Sequence, residues 1–334
     1  MSHRLQTRAY ALSGTRFEVS CSTAMAGYLD ARFRLLTAED GRKQTICLDF
    51  RAVSDPCGHT ITRPLGSGRP FYDIPRGETY YFEDTDVVYL SVGDGLRAVY
   101  EPQLNHVTVS SVESNPRNLF MASHLVLTIL LVEILKRRSR YSLHAAGFSE
   151  KGQAILIVGS SGAGKSTLAI ALVRAGFDYL AEDMVFLSRN ANGLSVQGLA
   201  EDIDVSDQTI RFFPELSGLL QSPRADGFPK RQVCVEQVYS ARVVRESRPA
   251  AVVFPHISQN PTSTITPIES DEALLEIIPN VMLTQPRACQ AHLAALADLV
   301  KQTRCYRLDT GRDFDRIPKL FREVLEQDPE RARA

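Results

Sequence analysis

The clearest chemistry in this 334-residue chain lies in Gly159-Ser160-Ser161-Gly162-Ala163-Gly164-Lys165-Ser166, with Thr167 next in line. A glycine-rich turn of this spacing lets successive backbone N–H groups point inward at phosphate oxygens, and a following helix adds its positive N-terminal end. Lys165 can then reach the β- and γ-phosphates of a nucleoside triphosphate, and the Ser166 hydroxyl can bind Mg2+. The context is the expected one: the apolar run Ala154-Ile-Leu-Ile-Val158 precedes the loop and a helical pattern over Thr167–Ala175 follows it. Residues 159–167 are therefore expected to hold a triphosphate. ATP is the expected donor, although nothing in the sequence reads adenine.

A phosphate loop is common to ATPases, GTPases, transport motors and small-molecule kinases, so neighbouring residues must discriminate. The chain lacks a guanine-reading Asn-Lys-x-Asp segment, and Glu215-Leu-Ser-Gly-Leu-Leu-Gln221 lacks the continuation of a transporter signature. The apolar segment Phe177-Asp-Tyr-Leu-Ala181 ends in Glu182-Asp183, and Asp183 follows Lys165 by only 183 − 165 = 18 positions. His144 precedes Lys165 by 165 − 144 = 21 positions, in Tyr141-Ser-Leu-His-Ala-Ala-Gly147. One helix and one short strand span the first interval, so a histidine, the loop and an acidic pair are expected at one strand end. A carboxylate there can take the proton of an attacking hydroxyl while Lys165 and Mg2+ spread charge on the γ-phosphoryl group. Asp183 is the expected proton acceptor, with Ser166 on the metal and Glu182 supporting it. His144 reads as a group orienting Asp183, as a phosphoryl contact, or as a core histidine.

Three segments, Ser142-Leu-His-Ala145, Gly159–Ser166 and Gly176-Phe-Asp-Tyr-Leu-Ala-Glu-Asp183, together resemble the catalytic domain of the HPr kinase/phosphorylase family. The likeness covers roughly residues 141–188. It implies a P-loop kinase domain of the HPr kinase/phosphoenolpyruvate carboxykinase type. It also implies Asp183 as catalytic aspartate, Glu182 as its acidic neighbour and His144 as active-site histidine, beside Lys165. The family's downstream Glu-[Ile/Val]-Arg-Gly-Leu-Gly signature, tied to metal binding and phosphorylase action, is absent. Glu201, Asp202 and Asp204 stand nearby as substitutes for its acidic ligand, or as ordinary solvated carboxylates. Lys230-Arg231, after the turn at Asp226-Gly227, could grip a phosphate or a peptide carboxylate, or be an exposed basic pair. In organisation the chain looks most like the kinases of lasso-peptide biosynthesis.

The elements that must position these residues follow from periodicity. Short alternating runs between about Arg8 and Val112, among them Arg16–Val19, Gln44–Leu48, Thr79–Phe82 and Val87–Leu90, are separated by turn signals at Gly41, Pro56–Gly58, Gly66–Gly68 and Gly93–Gly95. A β-rich N-terminal domain over 1–113, a connecting helix over 114–140 and a kinase domain over 141–334 are expected, an α/β chain overall. The helix should start at cap Asn115 and Pro116 and end in Lys136-Arg137-Arg138, whose charges suit a helix C-terminus. Its apolar run Leu119–Leu135 contains His124 and Glu133 and reads as a buried helix. Further on, Asn190–Gly193 reads as a hairpin turn, Ala250–Phe254 and Cys305–Leu308 as strands, and Pro286–Lys301 as a helix with Leu293, Leu296 and Val300 on one face. The last helix carries Ile317, Leu320, Phe321, Val324 and Leu325 in one stripe, with fraying expected over Pro329–Ala334.

With 38 Lys and Arg against 39 Asp and Glu, the formal charge is −1, so no global basic field points to nucleic acid. Six cysteines without a C-x-x-C pair are expected as reduced core fillers, and no signal segment is read at the start, which favours the cytoplasm. The expected activity is transfer of the γ-phosphoryl of ATP, with Mg2+, to a serine on a peptide or protein, such as a lasso-type precursor. A kinase for free serine or another small metabolite, and a non-catalytic nucleotide switch, are the alternatives. Neither nucleic acid nor a membrane is an expected partner, and a homo-oligomer is left open. The N-terminal region reads equally as a strand-adding recognition module and as a brace.

Overall fold

A computed structural model describes residues 5–36, 45–74, 76–191, 193–221 and 229–326. The expectations placed on Gly41, Gln44, Asn192, Asp226-Gly227 and Pro329–Ala334 lie outside these described residues. The chain is a mixed α/β protein that divides into two units: one holds the chain up to Arg140 and Met282–Gln290, the other most of the chain from Tyr141.

The first unit is built on an eight-stranded sheet of β1 (Gln6–Leu12), β2 (Thr15–Cys21), β3 (Thr45–Val53), β4 (Arg69–Pro70), β5 (Gly77–Phe82), β6 (Val87–Val92), β7 (Leu96–Glu101) and β8 (His106–Val112), in the order β1-β2-β3-β8-β7-β6-β5-β4. The β2–β3 and β3–β8 pairs are parallel and the others antiparallel; α1 (Thr23–Arg32) lies between β2 and β3, and β4–β7 between β3 and β8. Strict alternation in β2 buries Phe17, Val19 and Cys21 on one face.

The long helix Pro116–Lys136 starts where expected, the Asn115 side chain accepting the Arg117 N–H at 2.9 Å. It is long and apolar enough to cross a membrane, yet 72% of its most apolar window is buried. It is not one regular helix: α2 (Pro116–Met121) and α3 (Leu127–Lys136) flank a π turn over Ala122–Val126. A π turn displaces carbonyls from the helical ladder, and the buried Arg32 guanidinium donates to the carbonyls of Ser123 and His124 (3.1 Å for the latter). Glu133 and the last turn also differ from the simple helix-end reading. Glu133 and Lys136 have wholly buried side chains and meet at 2.7 Å. Arg137 donates to Glu133 at 2.9 Å, and Thr284 donates to it at 2.8 Å. The basic residues thus neutralise a buried carboxylate.

The second unit has a nine-stranded sheet. Its main path runs β12 (Asp178–Ala181), β10 (Ala145–Glu150), β11 (Gln153–Val158), β17 (Glu246–Ile257), β14 (Gly193–Gly198), β13 (Val185–Asn190), β9 (Tyr141–Leu143), with β19 (Arg304–Thr310) paired to β17 and β18 (Thr264–Pro267) to β19. Ala154–Val158 are all fully buried, which is why β11 reads as a continuous apolar run: a strand covered on both faces has no polar side. One face carries α7 (Ser270–Ile277) and α8 (Pro286–Gln302), where Ala295, Leu296, Leu299 and Val300 are buried and Leu293 is instead 37% exposed. Helix α4 (Lys165–Arg174) begins two residues earlier than the periodicity suggests and packs against β10 and α9 (Ile317–Glu326), whose stripe buries Ile317, Leu320, Phe321 and Val324. A small ladder of β15 (Ile203–Val205) and β16 (Arg231–Val233) lies beside α5 (Asp207–Phe212). Glu215–Gln221 falls in a 3-10 helix. Cys21 and Cys305 are buried, but Cys47 and Cys57 are exposed and fill no core, because each falls on an outward position of its segment.

Two features of this sheet set the site. The chain passes from β9, paired with β13, to β10, paired with β11 and β12, with only His144 between. It passes back from β12 to β13 through Glu182-Asp183-Met184. Since Leu143 faces Val185 and Gly147 faces Ala181, the two crossings lie opposite one another. Ala145 also faces Val158, so the glycine-rich loop leaves β11 at the same end.

Gly198 lets β14 close against β12 there: a Cβ on it would stand 2.1 Å from the Leu180 carbonyl oxygen, which is backbone and cannot rotate away. Gly198→Ala is expected to destabilise the protein by about 1–3 kcal/mol, read as a lower urea midpoint; an unchanged midpoint contradicts the close approach. Glu133→Leu, which strands the Lys136 ammonium, is expected to cost about 3–5 kcal/mol, with part regained in Glu133→Leu/Lys136→Met; no recovery in the double variant contradicts the buried-pair account.

Candidate active site

The loop after β11 has the backbone shape its sequence implies. Gly162 and Gly164 have φ of +87° and +92°, conformations that glycine adopts without a Cβ penalty. Gly164 is also the N-cap of α4 and supplies no side-chain cap, so the first amides of the helix keep their donor capacity. The side chains of Ser160 and Ser161 are exposed, and the Ser160 carbonyl accepts the Ala163 N–H at 3.2 Å. Gly159 lies so close to Ala163 that a Cβ would stand 3.1 Å from the alanine methyl. These donors and the short, open turn fit a phosphate chain.

Lys165 is buried, and its ammonium donates to the carbonyls of Gly159 at 2.6 Å and Ser160 at 3.3 Å, and meets His144 Nε2 at 2.9 Å. The same Nε2 lies 3.4 Å from Asp183 Oδ1. His144 thus stands between the loop lysine and the second carboxylate of the acidic pair, its backbone N–H donating to the Asn280 carbonyl at 3.0 Å. One nitrogen cannot accept from an ammonium and donate to a carboxylate in the same state. Burial pushes the His144 pKa below its ordinary value; Asp183 pulls it up, and the charges of Lys165 and Lys230 push it down further. The neutral imidazole that accepts from Lys165 is therefore favoured. Burial likewise lowers the Lys165 pKa, against the pull of Asp183 and Glu182.

Ser166 Oγ donates to Glu182 Oε1 at 2.5 Å. Glu182 is pushed up to about 8, first by burial and then by the neighbouring charge of Asp183, while the Ser166 bond and Lys230 oppose the rise. Asp183 differs in environment, with 52% of its side chain exposed. Adjacent carboxyls thus separate into one that holds its proton and one open to an incoming group. Thr167, the last expected loop residue, bonds Thr209 Oγ1 at 2.9 Å and ties α4 to α5. Of the three substitute acids, Asp204 adds to the rise at Glu182, whereas Glu201 and Asp202 act on Tyr179, whose hydroxyl donates to the Glu201 carbonyl at 2.7 Å.

Ser166 and Glu182 offer hard oxygen donors of the kind Mg2+ accepts, and that ion takes few protein ligands beside phosphate and water. Among the described residues no group of three or more His, Cys, Asp or Glu side chains is arranged for a metal. The structure therefore brings together Gly159–Ser166, His144, Glu182 and Asp183. Sequence reasoning did not find Asn280 or Thr209, which are distant in the chain and carry no motif.

No protein-family model matches the chain, and no curated protein matches it in sequence. Among solved structures it is similar to the HPr(Ser) kinase/phosphatase from Coxiella burnetii, at 13% identity and a TM-score of 0.30, over 58% of this chain and 99% of that one. So distant a likeness carries no inference about activity, and the chemistry rests on the geometry of this chain itself.

Folded Glu182 keeps its proton to about pH 8, against an ordinary value of 4.5, so the folded chain holds more protons than the unfolded chain between those values. Stability should fall as pH rises through that window. In metal-free buffer Glu182→Gln is expected to remove this slope, gaining on the unmodified protein as pH goes from 5 to 8. Urea midpoints that differ equally at both pH values would contradict the proton-holding carboxyl.

Proposed function

We propose that this chain is a kinase that transfers the γ-phosphoryl group of ATP to a serine hydroxyl on a peptide or protein. The observation that carries the reading is the separation of roles within the acidic pair: Glu182 bonded to the Ser166 hydroxyl, and a half-exposed Asp183 beside His144 and Lys165. The loop amides of 159–167 and the start of α4 hold the phosphates, and the Lys165 ammonium moves from its carbonyl partners onto phosphate oxygens. Ser166 and Glu182 would hold Mg2+, which when bound offsets phosphate charge. Asp183 accepts the proton of the acceptor serine as its oxygen bonds to the γ-phosphorus and the bond to the β-phosphate bridging oxygen breaks; the nucleoside diphosphate leaves with that electron pair. His144, neutral, accepts from Lys165 through Nε2 and so holds the loop lysine beside the base; only in its protonated state would the same nitrogen donate to Asp183. The open side of Asp183 favours an acceptor carried on a larger molecule, and a short ribosomal precursor of the lasso type is the acceptor put forward.

Asp183→Asn is expected to leave Mg-ATP affinity within about twofold while lowering phosphate transfer to serine peptides by about 10²–10⁴-fold, measured by calorimetry and mass spectrometry. Transfer that persists in the variant would exclude Asp183 as the base. Phosphorylation of free serine but of no peptide would move the acceptor to a small metabolite. Nucleotide binding that changes assembly with no acceptor phosphorylated would make the site a switch.

A further inference from the structure

A cavity of about 760 Å³ opens beside α4, lined by Arg174, Phe212, Arg312, Phe314, Arg316 and Lys319 among others. None of these residues belongs to the loop or to the acidic pair. Two chains of contact connect its walls to the glycine-rich loop. On one side Thr167 Oγ1 lies 2.9 Å from Thr209 Oγ1, Phe212 follows Thr209 by three residues on the same face of α5, and the Phe212 and Phe314 rings stand 5.0 Å apart. On the other, β11, β17 and β19 are parallel neighbours, so the segments that follow them lie at one end of the sheet. A Cβ on Gly164 would stand 4.0 Å from Ile257, which is paired with Thr310, and residues 311–316 start from there. That segment is held in place. Asp313 accepts the Ser263 N–H at 2.9 Å and the Ser263 hydroxyl at 2.5 Å, and the same hydroxyl accepts the Gly311 N–H at 2.9 Å.

We infer that this cavity seats the nucleoside part of the bound nucleotide, with the Phe314 ring as the face on which the base stacks and the Arg312 guanidinium closing over it. The inference rests on the kinase reading for the triphosphate on the loop. Direction comes from the sheet: β11 stands between β10 and β17, Glu182-Asp183 follow β12 beyond β10, and residues 311–316 follow β19 beyond β17. For Asp183 to serve as base, the terminal phosphate lies on the β12 side of the loop. The nucleoside then leaves on the β19 side, where the cavity is. Its lining suits a neutral aromatic group better than a second polyanion, because half of its basic groups are already met. Arg174 has Glu215 at 3.3 Å and Asp315 at 3.5 Å, and Arg316 approaches Asp313 at 4.0 Å. Arg312 and Lys319 have no charged partner among the described residues. Phe212 and Phe314 are half-buried where they line the cavity. A cavity of this volume is of small-molecule size, and an aromatic ring with a guanidinium nearby is a combination that stacks a base.

The test is calorimetric titration of the full chain with Mg-ATP and with Mg-tripolyphosphate, which has the phosphates and no nucleoside. Phe314→Ala is expected to weaken ATP binding by about tenfold and tripolyphosphate binding by less than about twofold, with Phe314→Tyr keeping most of the ATP affinity. Arg312→Ala, at an exposed side chain, is expected to weaken ATP by about threefold or more with as little effect on tripolyphosphate, and it serves as the test should thermal midpoints show that Phe314→Ala does not fold. Variants that weaken both ligands equally, or neither, overturn the inference. So does an unmodified chain that binds ATP no more tightly than tripolyphosphate, and in each of these cases the kinase reading stands. An unmodified chain that binds neither ligand overturns the kinase reading and this inference with it.

Discussion

Two chain crossings placed opposite one another in a single sheet govern the rest of the site. At His144 the chain leaves the β13 partner strand for β10, and at residues 182–184 it returns from β12 to β13. A residue at such a crossing belongs to no ladder, so its side chain can be aimed by other contacts. His144 is aimed by its backbone bond to Asn280 and by Lys165, and Glu182 by Ser166. The antiparallel register brings both crossings to the end of β11 from which the glycine-rich loop springs, and no long side chain has to reach across the sheet.

That arrangement explains how two neighbouring carboxyls come to differ. Glu182 is held to the start of α4 by Ser166, while Asp183 has half of its side chain exposed. Burial then raises the proton affinity of Glu182, and the charge of Asp183 adds to it. In the first unit Glu133 is tolerated in a core because Lys136, Arg137 and Thr284 satisfy it together.

Much of the local structure was legible in the sequence. The run Ala154–Val158, the hairpin at Asn190–Gly193, the Asn115-Pro116 helix start and the stripe of the last helix are each formed by contacts within a few residues, and they stand as their periodicity implies. Errors fell where packing outweighs local preference. The π turn at Ala122–Val126 needs Arg32, which comes from a different helix. Leu293 lies near the edge of its apolar stripe, and only the position of the sheet decides that Ala295 and Leu299 are buried in its place. The fate of Lys136 depended on Glu133 being wholly covered, which composition cannot show.

The sequence alone determined the shape of the glycine-rich loop, because Gly162 and Gly164 take left-handed positions that suit glycine and Lys165 and Ser166 open the following helix. It also determined how few positions separate His144 and the pair Glu182-Asp183 from Lys165. Only the tertiary structure decided which carboxyl turns to the start of α4 and that His144 Nε2 stands between Lys165 and Asp183. The reason is physical: burial, register and the alternation of side chains across a sheet depend on strands far apart in the chain, and they set both direction and proton affinity where spacing sets only proximity.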